Sequence, residues 1–457
     1  MNRLLLSSTL LLLAACSVPI TAPDPRQPIA ARFSASVPRG AADLDVDWWA
    51  GIGDTQLTEL LALAKASNPD LRTAAAQVMA ARARAGQDAA AQWPTVSGTA
   101  SATEADSETT VRSSTRTAAL DASWEVDLFG KASKTALAEK ARARAKDYAF
   151  AGAYVSLAAE VADTYVQYRA CRMAERVYRE AVSSQGETIN ATSRLVDEGL
   201  RAGADLSLAR ASRASAQISL DSQIADCRVL AQGLAVLTGQ PQDRIDALLA
   251  KGGGMPSARG FRVSEVPADM LRQRPDIAEA EASFAASLLD LGVARADLYP
   301  SLTLGGSLTL SSPSGWSFGP ALSLPIFDGR QRETAVRTAN ADAITAAESY
   351  RSTVLSAVSD AEAALTRLAA ARKNLASAGT LVSEYDTYFQ SVDADWKAGG
   401  VSMLDREEAR RQLQTARITQ ISQQLAVVQQ WIALYKAMGG GWTRPAIETT
   451  TTTTSGG

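Results

Sequence analysis

The sequence predicts a mostly α-helical chain with transmembrane β. Two internal repeats supply long antiparallel coiled-coil helices, and four β-strands per chain enter a shared 12-stranded β-barrel. Three observations carry this expectation. Landmarks recur at fixed offsets through both halves, apolar residues repeat every 3.5 positions along very long segments, and strand-length stretches alternate apolar with small or polar residues. Composition narrows the chemistry. The 457 residues carry 46 basic and 49 acidic side chains, a formal charge of -3, and no histidine. That excludes Ser-His-Asp and Cys-His nucleophile systems and His-ligated metal sites. The balanced charge gives no basic footprint, so no nucleic acid is expected as a partner. No phosphate loop or metal-ligand cluster is present in the sequence, so neither an enzyme nor a cofactor is expected.

The N-terminus opens with Arg3 and an apolar run from Leu4 to Ala15, interrupted by Ser7, Ser8 and Thr9. This run is too short to cross ~30 Å of hydrocarbon, so residues 1–15 read as a signal peptide. Leu13-Ala14-Ala15-Cys16 resembles a bacterial lipobox. The resemblance implies cleavage before Cys16 and lipid on Cys16, so that 16–54 is a lipidated N-terminal segment. Ser17, next in the chain, points by the same resemblance to the outer membrane. The alternative is an ordinary signal peptide with an incidental cysteine. No later stretch reaches ~18 apolar residues, so no transmembrane helix is expected.

Repeat 1 spans 55–240 and repeat 2 spans 271–440, joined by a connector over 241–270. Asn68-Pro69-Asp70 and Trp93-Pro94 recur as Arg274-Pro275-Asp276 and Tyr299-Pro300, both displaced by 206 positions. Gly199, Arg210 and Leu237-Thr238-Gly239 recur as Gly399, Arg410 and Ala437-Met438-Gly439, displaced by 200. One register held through each half, with one change, marks a duplication. Each half then reads helix, strand-turn-strand, very long helix, tight turn, helix.

In repeat 2 an unbroken apolar seam in alternating steps of four and three runs from Tyr350 through Val354, Ala361, Leu368, Leu375 and Val382 to Trp396. That period is a coiled-coil seam. In repeat 1 the same phase gives Phe150, Tyr154, Leu157, Val161, Tyr168, Cys171 and onward to Val196, with polar breaks at Thr164, Glu175, Gln185 and Thr192. A helix from about Lys131 to Val196 would be roughly 100 Å long. Flanking helices over about Thr55 to Ala91 and about Ala204 to Thr238 are each roughly half that length. Stacked end to end beside the long one, they would form a rod.

The strand hairpins lie at about 93–128 and 299–327. Leu302, Leu304, Leu308 and Leu310 share one face, and across a turn Trp316, Phe318, Leu322, Leu324 and Ile326 alternate with Ser317, Gly319 and Ser323. Ala118, Leu120, Ala122, Trp124 and Val126 do the same in repeat 1. Such strands suit an outer-membrane barrel. Soluble hairpins packed on a core are the alternative. Four strands cannot close a barrel and an open edge is not tolerated in lipid. Three copies would give twelve strands, enough to close around a lumen. Residues 441–457 form a C-terminal segment whose tail from Glu448, threonine-rich and ending in Gly-Gly, is expected to be disordered.

An ordered set of motifs then resembles the TolC family of outer-membrane factors, nearest its lipoprotein branch of the NodT and OprM type. The set comprises Asp47-Trp48-Trp49, Asp54 and Leu57; Asn68-Pro69-Asp70-Leu71; Trp124-Glu125-Val126-Asp127-Leu128-Phe129-Gly130; Arg274-Pro275-Asp276-Ile277; Gly292-Val293-Ala294-Arg295-Ala296; and Leu324-Pro325-Ile326-Phe327-Asp328-Gly329. The resemblance implies a homotrimer in the outer-membrane lipid, with a twelve-stranded β-barrel continuous with a trimeric periplasmic α-barrel, serving as exit duct of a tripartite efflux system. Implied partners are a periplasmic adaptor and an inner-membrane transporter, most often of the resistance-nodulation-division class. Members often follow the Phe-Asp-Gly motif with a second Gly; here Arg330 stands in its place.

The helical hairpin tips, about 199–203 and 399–401, would form the periplasmic mouth, with glycine supplying the left-handed turn. Asp205 and Asp405 occupy equivalent places, with Glu408 three residues on. In the TolC family, acids at the positions of Asp405 and Glu408 ring the closed mouth and bind cations. Converging carboxylates raise one another's pKa and attract cations. The plainer alternative is that these acids complement a helix dipole. Trp396 and Val401 stand where some members carry residues that tie the mouth shut. Cys171 and Cys227 lie 28 residues on either side of Gly199. An antiparallel hairpin would bring them together, and the oxidising periplasm favours a disulfide; two free buried cysteines are the alternative. Within the same class the duct could serve protein secretion, and a lipid-anchored, non-conducting periplasmic coiled-coil scaffold is a different reading.

Overall fold

A computed structural model of the chain describes residues 30–38, 48–107, 110–257, 260, 262–263, 273–311 and 314–445. The signal peptide, Cys16 and the tail from Glu448 lie outside the described residues. Twelve regular elements run α1 Thr55–Ser67, α2 Pro69–Ala90, β1 Thr95–Ser107, β2 Thr110–Val126, α3 Lys131–Asp197, α4 Gly203–Thr238, α5 Gln242–Leu249, α6 Pro275–Ala296, β3 Ser301–Leu310, β4 Gly315–Ser323, α7 Gln331–Lys397 and α8 Met403–Ala437, after a short 3₁₀ turn at Trp48–Ile52. They divide into two compact units. One holds 74–150 and 276–354, the other 29–73, 151–275 and 355–457.

The first unit contains one antiparallel sheet in the order β1-β2-β3-β4. Its register decides which side chains share a face. Gly98 pairs with Leu120, Leu120 with Leu308 and Leu308 with Trp316, while Trp124 meets Leu304 and Leu302 meets Leu322. A direct partner across strands points to the same side, so every apolar residue of the alternation lands on one face. Asp121, Ser307 and Ser317 line the other. The apolar face is bare: Val96 is 71% exposed, Trp316 80% and Phe318 73%. Strand β4 stops at Ser323, short of Leu324 and Ile326, because Pro325 cannot donate to a ladder.

Carboxylates close the junctions from strand to helix. Asp127 accepts from the Ala132 and Ser133 amides at the start of α3, and Asp328 accepts from the Arg330 and Arg332 amides at the start of α7. Where Gly130 alone takes positive φ in the first junction, Gly329 and Arg330 both do in the second, at 65° and 72°. Arg330 thus holds a left-handed conformation that costs a side-chain-bearing residue roughly 1–2 kcal/mol.

In the second unit Leu57, Leu60, Tyr165, Leu234, Ile245, Leu365, Trp431 and Tyr435 are fully buried. The seam expected along α7 is inside: Val354, Ala357, Ala361, Ala364 and Leu368 are buried, as are the polar breaks Glu175, Gln185 and Thr192 of α3. The helix expected over about Thr55 to Ala91 is instead two. Asn68 leaves the helical region at ψ 127° because Pro69 disfavours helix before it, and Pro69 then starts α2.

This break also carries the duplication into three dimensions. Asn68 Nδ2 donates to the Leu237 carbonyl, and Arg274 Nη1 to the Ala437 carbonyl, each at 2.9 Å. The residue before each proline therefore tethers the end of its returning helix. Gly239 and Gly439 follow those ends at φ 61° and 87°, with Ser67 O and Gln273 O so close that a Cβ would sit 2.7 and 1.7 Å away. An incoming segment is fastened as well: Ser34 donates through N and Oγ to Glu362 at 2.5 and 2.7 Å, and the Ala35 amide at 3.0 Å. Partial burial pushes the Glu362 carboxyl up, but the Ser34 and Ala35 donors hold it below the usual glutamate range.

Gly439→Ala, which meets a carbonyl and an unfavourable φ together, lowers stability by at least ~2 kcal/mol in thermal melts of detergent-purified protein. Because the folded Glu362 pKa is depressed, the docking of 30–38 is fully present above the ordinary glutamate pKa and is lost as pH falls through the lowered one. Hydrogen-exchange protection of the Ser34 and Ala35 amides tracks this, and Glu362→Gln abolishes the protection at neutral pH.

Candidate functional site

The two hairpin tips are built alike. At the end of α3, Gly199 at φ 72° donates to the Val196 carbonyl and Leu200 to Leu195; at the end of α7, Gly399 at φ 82° donates to Trp396 and Gly400 to Asp395. This left-handed cap stops each helix and turns the chain back. The returning helices start differently. Helix α4 begins after Ala202 with no side-chain cap, while α8 begins with a capping box in which Ser402 Oγ accepts from the Asp405 amide and Asp405 accepts from the Ser402 amide.

The acids singled out by sequence therefore have distinct surroundings. Asp405 accepts from Ser402 N at 3.1 Å and Ser402 Oγ at 2.6 Å. These bonds hold its carboxyl below the ordinary aspartate range. Glu408 pairs with Arg411 and accepts from Gln412 Nε2 at 3.0 Å. Asp205 lies in the first turn of α4 and is half-buried. Cys171 and Cys227 are joined, with sulfurs 2.06 Å and Cα atoms 5.6 Å apart, across a separation of 56 residues. Both are buried on the facing sides of α3 and α4.

A second cluster, not singled out by sequence reading, sits one to two turns above the tip of α8. Arg406 bonds Asp393 of α7 at 2.6 Å, Thr188 Oγ1 of α3 at 2.9 Å and Glu407 at 3.2 Å. Arg410 donates to the same Thr188 hydroxyl at 3.2 Å and faces Glu407 at 3.6 Å. Gln185 of α3 donates to the other Glu407 oxygen. The Arg406 guanidinium lies 4.6 Å from the Trp396 ring centroid, within cation–π reach. The side chains of Arg406, Glu407 and Arg410 are about nine-tenths buried. Burial pushes the Arg410 guanidinium pKa down. Burial pushes the Asp393 carboxyl up, but bonds from Lys397 and Arg406 outweigh that and hold it low.

The network ties both repeats together while leaving groups unmet. Arg410 Nε and Gln185 Oε1 are buried without hydrogen-bond partners, at roughly 1–3 kcal/mol each. The packed tip is therefore less secure than its ion pairs suggest. Its sequence signal was present: Gln185 interrupts the α3 seam, and a polar residue in a seam wants a buried partner.

Comparison with known proteins follows the geometry. The family model described as outer membrane efflux protein matches residues 60–239 and 266–440. The chain is similar to nodulation protein T of Rhizobium leguminosarum bv. viciae, 30% identical over 96% of this chain and 93% of that one. It is likewise similar to the pyoverdine export outer membrane protein OpmQ of Pseudomonas aeruginosa, 30% identical over 97% of each. Among solved structures, the outer-membrane channel OprN superposes with a TM-score of 0.83 at 28% identity, over 92% of this chain and 99% of that one.

Glu407→Gln leaves two buried guanidinium groups sharing one counter-charge, Asp393, and costs about 3 kcal/mol. Glu408→Gln, at an exposed pair, costs under ~1 kcal/mol; the two melts are compared directly. Removing the disulfide with Cys171→Ser and Cys227→Ser costs about 4 kcal/mol for a loop of this length, and non-reducing peptide mapping of the parent finds both thiols blocked.

Proposed function

The chain belongs to the outer membrane efflux protein family, and from that premise we propose that it assembles as a homotrimer in the outer membrane and serves as the passive exit duct of a tripartite efflux system. The sheet carries this reading. It leaves much of its apolar face exposed, and among the described residues no strand pairs with the far side of β1 or β4. In water such a face is a liability, whereas in a bilayer it is a lipid-facing wall. Three copies supply twelve strands and close the wall with a lumen inside. Lipid on Cys16 would add an anchor in the same membrane.

The tips form the periplasmic mouth. Asp405 and Glu408 from three copies place six carboxylates around it, and Asp205 adds three more. The Ser402 bonds favour the ionised form of Asp405, which favours cations at the entrance. The incompletely satisfied network of Arg406, Glu407 and Arg410 gives the tips a second arrangement within reach. Energy for export comes from an inner-membrane transporter, of the resistance-nodulation-division class, through a periplasmic adaptor. A relative named for pyoverdine export supports small molecules as cargo.

Purified protein in planar bilayers gives cation-preferring single channels and a trimeric mass in detergent. Asp405→Asn with Glu408→Gln lowers the cation preference and leaves the mass unchanged. A water-soluble, non-conducting particle after delipidation would sink the duct in favour of a periplasmic scaffold, and adaptor capture linked to an exported protein would make it a secretion duct.

A further inference from the structure

The register of the sheet stacks its apolar face in five rows. The row at the helix end holds Val126, Leu302 and Leu322, and the row at the far end holds Ala118 and Leu310. One row inside each limit stands a tryptophan, Trp124 beside Leu304 and Trp316 beside Leu308. From Ala118 to Val126 the strand runs about 27 Å. Tilted by about 40°, that length covers about 21 Å of an apolar band that is about 25 Å tall in outer-membrane barrels. Leu324 and Ile326, 56% and 89% exposed, lengthen the surface past the helix end. Aromatic rings near both limits repeat the girdles of such barrels.

Cations stand where the apolar surface ends. Beyond the far row comes Arg116, on the same face and opposite Ala102. Past Ile326, at the helix end, comes Arg330. Both side chains are exposed, and neither guanidinium has an ion pair or hydrogen bond among the described residues. The carboxylates of the two limits are already engaged. Asp127 and Asp328 accept from helix amides. Asp297 pairs with Lys131 and Glu333 with Arg337, each at 2.6 Å. Glu104, one row beyond Arg116, has a partner of its own. Arg330 is held besides at φ 72°, a conformation that a glycine would adopt without cost. An uncompensated cation retained against strain beside an exposed aliphatic surface is the composition of a membrane interface. There the stem lies along hydrocarbon and the guanidinium meets phosphate.

We infer that Arg116 and Arg330 bind the phosphate groups of membrane lipids, one at each limit of the apolar band. A guanidinium offers a phosphate two parallel N–H donors. The inference rests on the membrane reading proposed above and names the side chains by which the sheet holds the headgroups on either side.

The test incubates the full chain in detergent with phosphatidylglycerol, or with diacylglycerol of the same acyl chains, and counts bound lipid by native mass spectrometry. Expected is retained phosphatidylglycerol and little diacylglycerol, with retention about fivefold weaker in Arg116→Gln and in Arg330→Gly and the protein mass unchanged. Arg330→Gly also relieves the left-handed backbone, so its thermal melt is no lower than the parent's and its loss of lipid is not a loss of fold. Equal retention by the parent and both variants, or equal retention of diacylglycerol, overturns the phosphate contacts and leaves the membrane reading standing. Loss in one variant alone overturns the contact at the other arginine, and displacement by millimolar inorganic phosphate overturns lipid as the source of the phosphate. Parent protein that fails to float with phosphatidylglycerol vesicles after detergent removal, and stays in the aqueous phase, overturns both readings.

Discussion

Backbone hydrogen bonding at the outer edges of β1 and β4 is the constraint from which the rest of the structure follows. In hydrocarbon an unpaired amide or carbonyl has no water to turn to, at a cost of several kcal/mol per group. The register gathers Trp316, Phe318, Leu322 and Leu120 on one exposed face, which suits hydrocarbon better than water. One chain can satisfy the apolar face or the edges, but not both. Further copies of the same strands, as in the trimer proposed above, would meet the two demands at once.

The duplication extends this logic into the helices. An offset of 200 relates Gly199 to Gly399, and it also relates Leu237 to Ala437, the carbonyls that receive Asn68 and Arg274. Two half-length designs therefore share one set of fastenings, with a proline to break the incoming helix and a glycine to let the returning one pass close by. The repeats diverge in what binds each hairpin: a covalent bond between α3 and α4, and charges with aromatic faces between α7 and α8.

Much of the fold was legible from periodicity. The seam along α7, both glycine tips and the strand alternation depend on spacing alone, and spacing survives in the structure. The helix break at Asn68 was missed because the apolar pattern of α1 and α2 is continuous across it, so the rule for residues before proline had to outweigh periodicity. The buried network was missed for a different reason. Arg406 and Glu407 carry no spacing signal of their own, Arg410 stands out only as a repeat landmark, and the position of Thr188 and Gln185 on α3 is what makes them interior. Asp405 and Glu408 stood out, but a sequence cannot say that Ser402 and Arg411 already engage them.

The disulfide has a mechanical consequence. By tying α3 to α4 well above their turn, it makes the first hairpin a single stiff lever, and its counterpart positions Ala371 and Val427 offer no such bolt. In the trimeric duct proposed above, opening of the tips would fall to the second hairpin, whose fastenings are ionic. Thiol oxidation would then divide a fixed jaw from a moving one.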